Sequence, residues 1–114
     1  MPNSQMIIDG TLCTLVFNRY LNGQLDLQVK IAKTDMEKFI FAGEPMGHPS
    51  YPDDWTQLTD NEILIKNYSE YAGWPELFVK AGLMEHTGKV SVQFDNIIVM
   101  RVLVDVPERK EIKR

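Results

Sequence analysis

The stretch 97–106, which reads IIVMRVLVDV, is the most apolar part of the chain and is rich in β-branched side chains. Both sets of alternating positions are apolar, apart from Arg101 and Asp105, as is typical of a strand that is covered on both faces. Pro107 ends the run, and the branched residues favour a strand over a buried helix. We therefore expect the central strand of an antiparallel sheet here, in which Arg101 requires a charged partner or an open face.

The composition is that of one small domain that is not stabilised by disulfides or a structural metal ion. The 114 residues are 44% hydrophobic, which is enough for a single apolar core. The lone Cys13 cannot form an internal disulfide, and no cysteine and histidine spacing predicts a structural zinc. We expect one domain at 1–106, a charged tail at 107–114, a cytoplasmic location and no cofactor. Neither a signal peptide nor a membrane span is expected.

The net charge of −4 is unevenly distributed along the chain. Between Asp35 and Glu76, nine acids stand against two lysines, so this part carries −7 and the remainder +3. Such a field opposes direct binding to nucleic acid or an anionic membrane, which needs concentrated Lys and Arg. We interpret the one basic cluster as a solvated terminal tail. Its members are Arg109, Lys110, Lys113 and Arg114.

The dipeptide Asn22-Gly23 predicts a β-hairpin between the segments 11–21 and 24–32. A two-residue turn would pair Phe17 with Gln28. A three-residue loop, with Gly23 left-handed, would instead pair Phe17 with Leu27 and align two apolar faces. We favour the three-residue loop, although the two-residue turn is acceptable if the first strand is covered on both sides.

The remaining elements follow from shorter patterns. The segment 34–43 begins with capping-box spacing but is equally compatible with an extended chain, so helix and strand both stay open. A short strand is predicted at 62–66, and a strand at 89–94 is predicted to join 97–106 through a tight turn at Asp95-Asn96. A helix begins near Pro75 and ends at Gly82. Its apolar stripe comprises Trp74, Leu77, Phe78 and Ala81.

These patterns predict an α+β fold, in which a small antiparallel sheet of four to six strands carries one main helix on a face. Several fragments, taken in order, resemble a family of uncharacterised small proteins carried by bacterial plasmids and phages. The matching fragments are Tyr20-Leu21-Asn22-Gly23, Gly43-Glu44-Pro45, Ile65-Lys66-Asn67-Tyr68-Ser69-Glu70, Ala81-Gly82-Leu83, Thr87-Gly88-Lys89 and Val99-Met100-Arg101-Val102. The chain departs from that pattern at 46–54, rich in Pro and Gly, and at Tyr71-Ala72-Gly73. The resemblance implies a mobile-element origin and an α+β domain, without a catalytic residue or ligand.

Catalysis is not expected from the residue pattern. The loop 44–60 contains four acids and His48, but metal sites need three or four convergent ligands, and none is assigned here. Cys13 lies in an apolar strand, where a thiol is usually inert, and neither His48 nor His86 has a neighbouring motif that fixes a catalytic role. The alternative to a non-enzymatic function is a small hydrolase or metal-assisted enzyme that uses the loop 44–60.

Aromatic and acidic residues coincide in the middle of the chain, which is typical of a protein interface. We expect a non-enzymatic interaction protein that binds a basic protein partner through this surface, and self-association as a structural protein is a further alternative. The predicted partner-binding residues are Tyr51, Asp53, Asp54, Trp55, Asp60, Glu62, Glu70 and Tyr71.

Overall fold

Two antiparallel sheets make up most of residues 4–108, the part of the chain that the computed structural model describes. The first sheet has the order β1-β2-β3-β4, with strands Ser4–Ile8, Thr11–Arg19, Leu25–Ile31 and Pro45–Gly47. The second has the order β5-β7-β6, with β5 at Glu62–Lys66, β6 at Met84–Val90 and β7 at Ile97–Val102. One helix, α1 (Trp74–Lys80), and 3-10 turns at Met36–Lys38 and Ser69–Tyr71 complete the described elements. The basic cluster at 109–114 lies outside the described residues.

The broad prediction of an antiparallel α+β fold is confirmed, but the single sheet of four to six strands is wrong. The strands divide into sheets of four and three. The short helix α1 packs against β5 and β6 of the smaller sheet. Side chains from both sheets and from α1 meet in the main core. Within residues 4–108, no helix has the length and apolar character that crossing a membrane requires.

The strand β7 lies at the centre of the smaller sheet and is covered on both faces, as predicted. Met100 and Val102 belong to the main core, whereas Ile97 and Val99 pack with Leu64 in a second cluster on the opposite face. The strand ends at Val102, so residues 103–106 do not extend it.

Arg101 shares a face of β7 with the buried Ile97 and Val99 but is itself exposed, near the end of the strand. It stands opposite Glu62 of β5 and Glu85 of β6, and its guanidinium donates to the Glu85 carboxylate. The charge therefore has both a partner and access to solvent.

The predicted three-residue hairpin loop is confirmed. Phe17 pairs with Leu27, and Arg19 pairs with Leu25. Gly23 adopts φ 87° and its N–H donates to the Tyr20 carbonyl at 2.9 Å. The alternating apolar positions of β3 are consequently buried on one face, which sets the register.

The predicted strand 89–94 is wrong, but a turn does form at Asp95-Asn96, where Ile97 N donates to the Phe94 carbonyl at 3.3 Å. This turn does not join two paired strands as predicted, because Val92 and Phe94 lie outside β6. The strand β6 begins earlier, at Met84, and ends at Val90, which pairs with Ile98. The residues from Ser91 to Asn96 form a loop, in which the Ser91 hydroxyl accepts hydrogen bonds from the backbone N–H groups of Gln93 and Phe94 at 3.1 and 3.3 Å.

The segment 34–43, for which helix and strand were both left open, contains a short 3-10 turn at Met36–Lys38. The Asp35 carboxylate accepts from Glu37 N at 3.1 Å, so Asp35 rather than Thr34 caps the turn. The Thr34 hydroxyl accepts instead from Ala42 N at 2.9 Å. The turn is closed by a β-bridge between Asp35 and Ile40, which makes the segment a small hairpin-like loop.

The helix α1 buries a narrower stripe than predicted. Trp74 and Phe78 are buried, Leu77 is partly buried and Ala81 is exposed. Burying such large side chains stabilises the fold by about 1.5 to 3 kcal/mol each. The helix ends before Gly82, which adopts φ 74° as a left-handed stop.

Candidate interaction surface

A buried carboxylate joins two loops that are distant in sequence. Asp53, only 3% exposed, accepts hydrogen bonds from the hydroxyls of Thr56 and Ser91, both at 2.6 Å. Its other oxygen accepts from the backbone N–H of Trp55 at 2.9 Å. Because Ser91 follows β6 and Asp53 precedes β5, this clamp fixes the loop 51–58 against the loop 91–96.

The hairpin loop of the larger sheet adds a second attachment. The Gln24 side-chain amide, which is buried, donates to the carbonyls of Asp53 and Thr56 at 2.6 and 3.2 Å. Its oxygen accepts from the backbone N–H of Asp53 at 2.8 Å. Consequently both the backbone and the side chain of Asp53 are held in place.

The ionisation of Asp53 follows from this environment. Burial by itself disfavours the charged carboxylate, but the hydrogen bonds from Ser91, Thr56 and the backbone of Trp55 and Thr56 outweigh it, so the pKa of Asp53 is lowered. The clamp is therefore an ionised, fully hydrogen-bonded group at neutral pH.

Four apolar side chains stand on the two clamped loops, and we call them the aromatic loop surface: Tyr51, Trp55, Val92 and Phe94. Trp55 is 70% exposed, Val92 66% and Phe94 43%. The rings of Tyr51 and Phe94 meet edge to face with centroids 5.8 Å apart, and Val92 N donates to the Thr56 hydroxyl at 3.1 Å. Tyr51 also packs on the cluster of Leu64, Ile97 and Val99, so the aromatic loop surface rests on the smaller sheet.

All charged side chains of segments 51–61 and 91–96 are acidic. Asp54, Asp60 and Asp95 are exposed, and Asp54 accepts from the Asn22 amide at 2.8 Å. The aromatic loop surface therefore has an acidic rim, and Arg19 of β2 donates to the backbone carbonyl of Asp60 at 2.6 Å.

Besides Asp53, two other predicted partner-binding residues are buried, Glu62 and Tyr71. Glu62 is 2% exposed and accepts from Thr59 N at 2.8 Å. Burial opposes its charge, but bonds from Thr59 and the nearby Lys89 outweigh this effect, so the pKa of Glu62 is lowered. The Tyr71 hydroxyl accepts from the backbone N–H of His48 at 2.9 Å. With Asp53, these are structural positions inside the fold.

Glu70 is exposed but lies elsewhere. Together with Tyr71, it lines an open groove of about 390 Å³ beside β3 and β4, whose other lining residues include Lys30, Met46 and His48. The fold thus brings Tyr51, Asp53, Asp54 and Trp55 together and leaves Glu70 and Tyr71 apart from them.

Sequence reasoning missed Val92 and Phe94, because their alternation with polar residues indicated a half-buried strand. The sequence of the loop 51–58, in contrast, contains a local pattern that bears on the site. Asp53 accepts from the N–H two residues ahead and from the hydroxyl three residues ahead, which is the Asx-turn arrangement. The spacing of Asp53 and Thr56 therefore indicated a locally bonded aspartate rather than a free surface charge.

A second polar cluster surrounds His48 in the loop 44–60. The His48 Nε2 atom contacts an Asp26 carboxylate oxygen and lies 3.2 Å from the Tyr20 hydroxyl. Ser50 lies 3.4 Å from the same nitrogen, is 1% exposed and accepts from Leu27 N at 2.9 Å. Because all three partners converge on Nε2, His48 does not bridge serine and aspartate through its two nitrogens, as a nucleophilic triad requires. The cluster ties the loop to the hairpin.

The two other candidate catalytic groups lie on other elements. Cys13 is fully buried in β2, and burial raises the pKa of its thiol. His86 of β6 contacts the Glu76 carboxylate of α1 at 2.6 Å. Among residues 4–108, no group of three or more His, Cys, Asp or Glu side chains is arranged to hold a metal ion.

Comparisons of the chain with protein-family models, curated proteins and solved structures gave no match. The resemblance to small plasmid and phage proteins therefore stays a prediction from the fragments quoted above. Function is inferred from the geometry of the described residues.

Proposed function

We propose that the protein is a non-enzymatic interaction protein that binds a basic protein partner through the aromatic loop surface. The observation that carries this proposal is Trp55, which is 70% exposed on a loop that the buried Asp53 holds in place. Tryptophan is enriched among the residues that dominate binding energies. A tryptophan displayed in this way offers a large contact area to a partner.

The clamp supports binding by reducing its entropic cost. Ordering a mobile loop on association costs free energy that is lost from the affinity. Here Asp53 and Gln24 already order the loop in the free protein, through the bonds to Trp55, Thr56 and Ser91. A partner would therefore meet a surface whose backbone is preorganised.

The acidic rim supports a partner rich in Lys and Arg. Asp54, Asp60 and Asp95 lie exposed on or beside the clamped loops. Opposite charges across an interface accelerate association and disfavour wrong partners. The exposed ring of Trp55 also offers a face for cation–π contact with Lys or Arg. The predicted mobile-element origin favours a basic protein of the host or of the element as the partner.

Affinity capture with matched variants tests the proposal. The tagged protein, Trp55→Ala and Leu103→Ala are each incubated with a lysate of the native host. Leu103 is the control because it is 51% exposed and lies outside both loops. We expect the wild type and Leu103→Ala to retain the same basic protein and Trp55→Ala to lose it.

Measurements on the captured protein sharpen the test. We expect Trp55→Ala to weaken its Kd at least about thirtyfold, as a hot-spot residue does. Reversing two rim charges, with Asp54→Lys and Asp95→Lys, should slow association and reduce its dependence on salt. These two positions are chosen because Asp53 and Glu62 are buried, so their replacement would damage the fold. If the wild type and Trp55→Ala bound the same proteins equally well, the proposal would be wrong.

A further inference from the structure

We propose that Asn22 is a site of spontaneous deamidation, and that its contact with Asp54 sets the rate of this modification in the folded protein. Asparagine side chains are among the thermolabile groups of proteins. Asn22 is exposed in the hairpin loop, and among the asparagines of the chain it alone precedes a glycine. Glycine has no side chain, so the backbone nitrogen of Gly23 can approach the side-chain carbon Cγ of Asn22 closely.

The reaction needs only the chain itself and water. The Gly23 backbone nitrogen attacks Cγ of Asn22 and loses its proton to solvent, while the Nδ2 group takes up a proton and leaves as ammonia. Water then opens the resulting five-membered succinimide ring at either of its carbonyls. The product at position 22 is aspartate or isoaspartate, so overall the amide and water give an acid and ammonia.

One hydrogen bond in the hairpin loop favours the attack. The Asn22 Oδ1 atom accepts from the backbone N–H of Gln24 at 3.0 Å, which is the Asx-turn arrangement. This donor polarises the side-chain carbonyl, and it points at the oxygen on which negative charge develops when Cγ is attacked. The group that is attacked is therefore already held and polarised in the folded loop.

Two other hydrogen bonds oppose the attack. The Gly23 N–H, which must lose its proton, donates to the Tyr20 carbonyl at 2.9 Å. The Asn22 Nδ2 atom, which must leave, donates to the Asp54 carboxylate at 2.8 Å. Because both groups must be released, the reaction proceeds from the fraction of molecules in which the loop has opened locally. A bond to a charged group is stronger than a neutral one, so Asp54 controls that fraction.

The product changes the contact between the hairpin loop and the loop 51–58. Aspartate at position 22 has no side-chain N–H to donate, and its carboxylate faces that of Asp54 where the amide now forms a hydrogen bond of 2.8 Å. Two like charges at such a separation repel each other. Deamidation therefore converts an attachment between the two loops into a repulsion, and closing the loop again does not restore the amide.

The rate of deamidation of the full chain tests the proposal. The wild type, Asp54→Ala and Asp95→Ala are incubated at neutral pH, and peptide mass spectrometry follows the conversion of the Asn22 amide to an acid. Asp95 is the matched control, because it is also an exposed aspartate and its replacement changes the net charge equally. We expect Asp54→Ala to accelerate the conversion at least about fivefold and Asp95→Ala to leave the rate close to that of the wild type.

Hydrogen exchange separates loop opening from an effect on the chemical step alone. Exchange and deamidation both remove the Gly23 N–H proton, so its exchange rate should rise in Asp54→Ala by about the same factor as the conversion. Asn22→Asp, which copies one product, should also raise this exchange rate. Asp54→Asn keeps an acceptor oxygen but loses the charge, so its conversion rate should lie between those of Asp95→Ala and Asp54→Ala. Thermal melts check that each variant folds, and Asp54→Asn decides the question if Asp54→Ala does not fold.

Three results would overturn the proposal. In the first, Asp54→Ala converts Asn22 no faster than Asp95→Ala does. In the second, the Gly23 N–H exchanges at the wild-type rate in Asp54→Ala although the conversion is faster. In the third, Asn22 stays unconverted in all of the folded proteins over a time in which the chain in urea is fully converted. No partner enters these measurements, so each result leaves the proposed binding of a basic partner standing.

Discussion

Replacing Asp53 with asparagine tests whether a buried charge holds the aromatic loop surface together. The variant keeps the size and shape of the side chain but replaces one carboxylate oxygen with an NH₂ group. The hydroxyls of Thr56 and Ser91 now donate to that oxygen, at 2.6 Å each. The Ser91 hydroxyl already accepts from Phe94 N, and the Thr56 hydroxyl already accepts from Val92 N. In Asp53→Asn, both hydroxyl protons therefore lose their acceptor.

The expected loss follows from three hydrogen bonds. A bond to a charged group contributes about 1.5 to 3 kcal/mol, so the loss of both hydroxyl bonds costs about 3 to 6 kcal/mol, and the bond from Trp55 N weakens by about 1 kcal/mol when its acceptor becomes neutral. A neutral amide costs less free energy to bury than a carboxylate, which offsets part of this loss. We expect Asp53→Asn to lower the free energy of unfolding by about 3 kcal/mol at pH 7.

Urea denaturation at several pH values measures this difference and its pH dependence. The folded-state pKa of Asp53 is lowered, so its ionisation stabilises the fold above the unfolded-state pKa of about 3.9 and this stabilisation is lost as pH falls through the folded-state pKa. Asparagine does not titrate there. The difference between the wild type and Asp53→Asn should consequently be constant from pH 7 to about pH 5 and shrink at lower pH.

The neighbouring Asp54 provides the matched control. Asp54 is exposed and contacts the Asn22 amide, so Asp54→Asn should change the free energy of unfolding by less than about 0.5 kcal/mol. The clamp would be refuted if Asp53→Asn cost no more than Asp54→Asn, or if its cost were the same at pH 3 and pH 7.

Three further predictions concern other parts of the fold. Gly47→Ala should destabilise by about 1 to 3 kcal/mol in thermal melts, because the new Cβ would lie 2.9 Å from the ring of Trp74; a loss below about 0.5 kcal/mol would contradict this packing. Arg101→Met should cost less than about 1 kcal/mol, since its pair with Glu85 is exposed, and a larger loss in denaturant would mean a buried pair. Burial raises the pKa of Tyr20 to about 12, so ultraviolet titration should show a late tyrosine ionisation that is absent from Tyr20→Phe, with stability lost between about pH 10 and 12.

Features that depend on neighbouring residues were predictable from the sequence. The hairpin register depends on the Asn22-Gly23 turn and on alternation within β3, and both lie within a few residues of each other. The limits of α1 likewise depend on Pro75 in its first turn and on Gly82 after its end. Local backbone chemistry determines these features, so distant contacts did not override them.

The loop 91–96 could not be predicted from its own residues. Val90, Val92 and Phe94 alternate as a strand would, yet the chain leaves the sheet after Val90. The deciding contact is the bond from Ser91 to Asp53, which is 38 residues away in sequence. A single local pattern does not contain such a partner, and the division into two sheets depends on the same kind of distant contact.

The distribution of charge along the sequence located the acidic region, but it did not show which carboxylates are exposed and which are buried. Asp53 and Glu62 contribute to the net charge of the middle region, although both carboxylates are buried and hydrogen-bonded inside the fold. Asp54 is exposed. Burial depends on which donors the tertiary fold brings close, so the acidic surface is smaller than the composition indicated.

Because the bond between Ser91 and Asp53 joins two distant loops, the aromatic loop surface exists only in the folded protein. The two loops are joined by the bond from Ser91 to Asp53, which are 38 residues apart in sequence, so an unfolded chain does not hold the loops of Trp55 and Phe94 together. A partner that recognises both would bind the native state alone. At a free concentration one hundred times its Kd, such a partner would add about 2.7 kcal/mol to the stability of this protein. Binding and resistance to degradation would then be coupled, and the protein would persist longest where its partner is abundant.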